Sequence, residues 1–182
     1  MTQLVMQRPH LQNLPRILLP NGCTVRKANA SEQDERELAG VLSTAFSEEW
    51  SQELVRQRLT RATDVRAVYV VVSNGHIVAT ASSRWIPERY PGLGYVHWVA
   101  THSEHTRGGL GAYVFAQVLN DFVERQYPAA VLETDDFRIP AIRIYLRFGF
   151  IPVYAVADED HRSRWSRVFE NMFGPPLSQS IP

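Results

Sequence analysis

The chain has 182 residues, enough for one domain with a real core. Hydrophobic residues make up 45% and charged residues 21%, an ordinary soluble globular profile. Lysine and arginine (19) balance aspartate and glutamate (19), and zero net charge argues against a general nucleic-acid or membrane-surface binder. The single cysteine, Cys23, excludes an internal disulfide, and no Cys/His cluster has zinc spacing, so no metal is expected. The first twenty residues lack a signal-peptide core and no run is apolar enough to span a membrane, so the expectation is a cytoplasmic protein.

Residues 1–23 contain three prolines and no clear period, and read as an extended N-terminal arm. "TVRK" reads as a short strand. Ser31 reads as a helix N-cap, followed by Leu38, Val41, Leu42, Ala45 and Phe46 at helical spacing. Leu54, Val55 and Leu59 suggest a second short helix. "AVYVVVS" and "HIVATASSRWI" flank Asn74-Gly75, a strong hairpin turn. After a Pro/Gly-rich loop, "YVHWVA" (95–100) is another strand. A glycine-rich loop then leads into a long helix reaching about Tyr127, with Ala112, Phe115, Leu119, Phe122 and Val123 on one face. "AAVLE" (129–133) is strand-like, Pro140 opens a short helix, and Gly149 is placed to end it. "FIPVYAV" and Arg164–Phe169 complete the series as strands. A strand, crossover helix and strand from Tyr95 to Glu133 predict one parallel pair within an otherwise hairpin-connected, mixed sheet. Residues 24–175 are expected to form the domain, with 176–182 as a tail.

The stretch "THSEHTRGGLGAYVFAQVL" carries the first chemical signal. A helix start leaves backbone N–H groups unpaired and partly positive, and glycines let that backbone approach a ligand. Gly108, Gly109 and Gly111 therefore suit a phosphate site, or simply a tight strand-to-helix turn. No Lys-Ser/Thr pair follows them and G-x-G-x-x-G is absent, so neither a Walker loop nor a dinucleotide fingerprint is present.

"AIRIYLRFGF" resembles the closing motif of the GNAT superfamily, the Gcn5-related N-acetyltransferases, with Ala141, Tyr145, Gly149 and Phe150 in matching positions. "VATHSEHTRGGLGA" is similar to that family's acetyl-CoA loop, where Val99, Ala100, Gly109, Gly111 and Ala112 fit. Thr101, Ser103, Thr106, Arg107, Gly108 and Arg138 depart from the usual residues. The resemblance spans about Thr24 to Phe173. It implies an α/β (α+β) fold with a mostly antiparallel twisted sheet, a splayed central parallel pair and flanking helices. It also implies acetyl-CoA as cosubstrate and, as activity, acetyl transfer to an amine of a small molecule or protein. The cofactor-binding positions it implies are Val99, Ala100, Thr101, Thr106, Arg107, Gly108, Gly109, Gly111, Ala112 and Arg138.

Such a transfer needs a proton acceptor for the amine, donors for the thioester oxygen, and a proton or other stabilisation for the departing thiolate. The resemblance places the oxyanion donors around Val99–Thr101 and makes Tyr145 the acid at the sulfur; the bland reading of Tyr145 is a core residue. His97 is the first candidate base, sharing a strand face with Tyr95 and Val99 under strict alternation, or it is a histidine satisfied within the sheet. Glu133 is the second candidate, and an ordered water chain could replace either. Asp135 and Asp136 read as capping or turn residues. The acceptor site is expected from Phe46, Glu48, Glu49 and Trp50 and from late loops. There Asp158, Glu159 and Asp160 form either an acidic mouth for a cationic amine or a solvated loop. The rivals are a non-catalytic member of the fold that binds CoA, an acyl-CoA or a protein partner, and an enzyme of the family using another acyl-CoA or an O-linked acceptor. The resemblance also makes a homodimer possible.

Overall fold

The computed structural model describes residues 3–154 and 159–174. It divides into two compact units, one of Pro9–Val131 and one of the two chain ends, up to Arg8 and from Leu132 onward.

The larger unit carries the strands β2 (Cys23–Lys27), β3 (Val65–Ser73), β4 (His76–Arg84) and β5 (Gly94–Thr101), antiparallel neighbours in that order. The first residues of β6 (Ala130–Thr134) follow next to β5, which they parallel. Asn74 and Gly75 both take left-handed φ values, 50° and 83°, as a two-residue hairpin turn requires. Helix α1 (Glu32–Phe46) starts at Ser31, whose hydroxyl accepts from the Asp34 amide at 3.3 Å. The short α2 (Gln52–Val55) begins at Ser51, which caps Leu54 in the same way, and passes into a π-turn over Arg56–Thr60. Leu38, Val41 and Leu42 of α1 pack with Trp50, Val55, Leu59, Val68, Val70, Ile77 and Ala100. Glu35 is fully buried; it accepts from Arg56 Nη2 at 2.9 Å and Thr60 Oγ1 at 2.8 Å, tying α1 to the π-turn.

Helix α3 (Leu110–Glu124) joins β5 to β6 and packs on β3, β4 and β5. Its buried stripe includes Ala112, Phe115, Leu119 and Phe122, as the periodicity predicts. Val123 is 47% exposed instead, and the helix ends at Glu124 rather than near Tyr127, whose amide turns back to the Phe122 carbonyl. A Cβ on Gly94 would meet the Phe122 ring at 2.6 Å, so only glycine lets β5 start this close to α3. Asp121, buried in α3, accepts from Tyr69 Oη at 3.0 Å, Ser83 Oγ at 2.9 Å and Arg125 Nε at 2.7 Å.

In the smaller unit β1 (Leu4–Arg8) lies between β6 and β7 (Ile151–Val153), antiparallel to β7. The proline-rich beginning thus supplies a strand. Helix α4 (Ile139–Arg147) closes on a left-handed Gly149 (φ 75°). The Gly149 amide donates to the Leu146 carbonyl at 2.9 Å and the Phe150 amide to the Tyr145 carbonyl at 3.0 Å. This double closure is the physical content of the Tyr145/Gly149/Phe150 spacing: glycine for the turn, and an apolar residue after it that is buried. The segment expected as a last strand is helical, within α5 (Glu159–Phe173). Its buried residues are His161, Arg164, Trp165, Val168 and Met172, at three- and four-residue steps, a helical spacing that a strand would have split between two faces. Among the described residues no helix is long and apolar enough to cross a membrane.

Candidate active site

Strand β5 does not run regularly to its end. Ser82 pairs with His97 and Thr80 with Ala100, so Ala81 alone opposes both Trp98 and Val99. This is a β-bulge, which takes the extra residue's backbone out of the ladder. Trp98 holds a φ of 48°, uncommon for a bulky side chain. The expected alternation of Tyr95, His97 and Val99 therefore breaks at Trp98, and the consecutive rings of His97 and Trp98 lie 4.6 Å apart. Beyond the bulge, Ala100 and Thr101 pair with β4 again, and the His102 amide donates to the Val78 carbonyl at 2.9 Å.

A short 3-10 turn (Ser103–His105) leads into the glycine loop, where the Thr106 hydroxyl donates to the Ser103 carbonyl at 3.2 Å. Thr106, Arg107, Gly108 and Gly109 are all exposed. Arg107 (φ 71°) and Gly109 (φ 76°) are left-handed. Gly109 is the N-cap of α3, no side chain caps the helix, and its first turn holds no acidic residue. Among the described residues, no side chain caps the amides of Leu110, Gly111 and Ala112. This is the arrangement that an external phosphate fits.

Next to the bulge, the larger unit holds a pocket of about 350 Å³ lined by Gln57, Arg58, Ala62, Asp64, Arg84, His97 and Trp98. Trp98 is wedged edge-on between Phe46 (5.1 Å) and Trp50 (4.6 Å), so the end of α1 and the segment after it pack against the bulge. Glu48 and Glu49 are exposed and absent from the pocket lining. Arg84 is paired to Asp64 through Nε at 2.9 Å and through Nη2. Its Nη1 lies 3.1 Å from His97 Nδ1 and 3.2 Å from Nε2. Arginine can only donate, so His97 is a neutral acceptor. Burial, then the charges of Arg84 and Arg58, push its pKa down to about 3. Of the two readings open for His97, this favours the histidine satisfied within the sheet, since an imidazole this weakly basic is poorly matched to proton removal near neutral pH.

In the smaller unit Tyr145 is buried, and burial raises its phenol pKa while Arg138 partly opposes the rise. Tyr145 is thus protonated throughout the physiological range, the form a general acid needs. Arg138 is occupied by Asp135 (3.0 Å) and Asp136 by Arg164 (3.0 Å), so both aspartates are structural. Glu133 is half-buried on β6. Of the late acidic cluster, Asp158 lies outside the described residues, while Glu159 and Asp160 open α5, where Asp160 stands 3.9 Å from Arg164. The described residues hold no group of three or more His, Cys, Asp or Glu placed to bind a metal. Sequence reasoning missed Arg58, Asp64 and Arg84, which carry no motif and are scattered along the chain.

Comparison with known proteins places this geometry. Residues 36–150 match the acetyltransferase (GNAT) family. A mycothiol acetyltransferase of Thermomonospora curvata is 27% identical over 155 residues, 81% of this chain and 50% of the relative. The chain therefore spans about half the length of the curated relative it matches. A GCN5-related N-acetyltransferase from Kribbella flavida superposes with a TM-score of 0.60 at 23% identity, covering 84% of this chain and 55% of that one. One from Sphaerobacter thermophilus gives 0.64 at 20%, covering 84% and 50%. Both structural likenesses speak to the fold.

Proposed function

The chain belongs to the acetyltransferase (GNAT) family, and we propose that it transfers the acetyl group of acetyl-CoA to an amine, by direct attack while both substrates are bound. The observation that carries this reading is the uncapped, exposed start of α3 directly after a bulged β5. The amides from Gly108 to Ala112, with Thr106 and Arg107 beside them, are the pyrophosphate cradle. Val99, where the bulge interrupts the ladder, and Ala100 and Thr101 just beyond it supply backbone contacts to the pantetheine arm and the thioester oxygen. The amine nitrogen, once neutral, attacks the thioester carbon; the C–S bond breaks, and the thiolate takes the Tyr145 hydroxyl proton. Glu133 or a water chain takes the amine's proton, and neutral His97 accepts a hydrogen bond instead. Arg138 stays in its ion pair.

A second reading, CoA binding without turnover, is favoured by Arg107 occupying a left-handed position where the family usually has glycine. The two are separated by calorimetric titration with acetyl-CoA and by thiol release across an amine panel. Binding with turnover supports the enzyme; binding and thermal stabilisation alone support the binder. If acetyl-CoA neither binds nor raises the melting temperature, both fail. Tyr145→Phe should lower turnover on the order of 10²-fold with little change in acetyl-CoA affinity. An unchanged rate at saturating acetyl-CoA removes that role.

A further inference from the structure

We propose that the pocket beside the β5 bulge selects an amine acceptor that also carries a carboxylate, with Arg58 as the residue that recognises it. This deepens the acetyl-transfer reading above and rests on it for the amine. Two arginines and one aspartate line the pocket, and the aspartate is consumed by Arg84. Arg58 is exposed, and among the described residues no carboxylate lies within ion-pair distance of it. Its guanidinium instead lies over the Trp50 ring, 5.6 Å from the centroid, which orients it without neutralising it. His97 adds no charge because it accepts from Arg84, and Gln57 and Trp98 are neutral. The pocket therefore carries one uncompensated positive charge, and its electrostatics disfavour a simple cationic amine or a diamine. A planar guanidinium matches a carboxylate with two parallel hydrogen bonds. A volume of about 350 Å³ suits a small molecule rather than a folded partner. His97 and Trp98 directly precede Val99–Thr101 in β5, so an acceptor held here sits beside the proposed thioester position. The lining of this pocket is net positive.

The test uses the full chain and two matched probe pairs, L-leucine against L-leucinamide and 4-aminobutyrate against butylamine. Binding by calorimetry in the presence of CoA, and acetyl transfer from acetyl-CoA, are read separately. The acid of at least one pair should bind at least tenfold more tightly than its carboxylate-free partner. R58Q should remove that margin, and R58E should reverse it in favour of the amide or alkylamine. Arg58 is exposed, so both variants are expected to fold, which an unchanged melting temperature checks. Equal or tighter binding of both carboxylate-free partners, a margin that survives R58Q, or binding of none of the four overturns the carboxylate assignment. Transfer to leucinamide or butylamine would still uphold the acetyltransferase reading in that case. Carboxylate binding lost in R58Q, with no transfer to any amine, upholds the pocket and sinks the acetyl-transfer reading.

Discussion

Helices α1 and α3 are both fifteen residues long, and their beginnings are built on opposite plans. α1 starts on Ser31, which caps the helix, and carries Glu32, Asp34 and Glu35 in its first turn. Asp34 also accepts from the Asn29 amide at 2.7 Å and pairs with Arg26 at 2.6 Å. Every favourable device for a helix N-terminus is supplied by the chain itself. α3 starts on a left-handed glycine with no cap and no acid, behind an exposed loop. The contrast shows that the second start is not a generic feature of this fold's helices. It leaves partial positive charge and amide donors that no side chain among the described residues caps, as the proposed pyrophosphate cradle requires.

The sharpest way to break the contrast is to give α3 an anion of its own. Gly109→Asp puts a carboxylate at the N-cap, in a conformation aspartate tolerates. It should weaken acetyl-CoA binding about 100-fold, roughly 3 kcal/mol, through repulsion and lost charge-assisted hydrogen bonds. Calorimetry checks it; an unchanged dissociation constant means that the ligand's phosphates bind elsewhere.

At α1, acid should act on stability rather than on ligand binding. Burial would raise the Glu35 pKa, but hydrogen bonds from Arg56, Thr60 and Gln52 outweigh it and hold the carboxyl below its ordinary value. A depressed carboxylate contributes stability that is present above about pH 4.3, the ordinary value, and is lost as pH falls through the folded one. Urea midpoints measured from pH 7 downward should fall in that window, and Glu35→Gln should flatten the dependence. His97 adds to the same trend. Its folded pKa of about 3 lies below the ordinary ~6.5, so stability falls as pH drops between those values. An imidazole titrating near pH 6.5 by NMR would contradict the Arg84 contact.

Ser31→Ala should cost about 1 kcal/mol and lower the melting temperature by roughly 3 °C, with acetyl-CoA affinity unchanged. Arg107→Gly is the subtlest test. Relief of the left-handed strain should add about 0.5 kcal/mol after glycine's entropy cost, while the lost cation weakens acetyl-CoA a few-fold. A destabilised variant would show that the Arg107 side chain contributes more than its backbone costs.

The features legible in the sequence are those whose physics is local. Asn74-Gly75 can only be a tight turn of this kind because both residues must be left-handed. Ser31 needs only the next three residues to act as a cap, and the Tyr145/Gly149/Phe150 spacing encodes a helix ending within one turn. The glycine loop was readable for the same reason, since a helix start and its donors are contiguous. The misreadings arose where periodicity was ambiguous or long-range contacts decided. Arg164–Phe169 is too short a window to separate strand from helix, and the buried face extending to Met172 resolves it.

What the sequence by itself determined is the order of most elements, the glycine-led start of α3 and the α4 closure, because neighbouring residues contain the necessary geometry. Tertiary structure alone decided the pocket and its charge. Gln57, Arg58, Asp64, Arg84, His97 and Trp98 come from a π-turn, a loop and two strands, and no local pattern links them. It also decided the character of His97. Burial and two arginines distant in sequence turn a residue with the ordinary pKa of a base into a neutral hydrogen-bond acceptor.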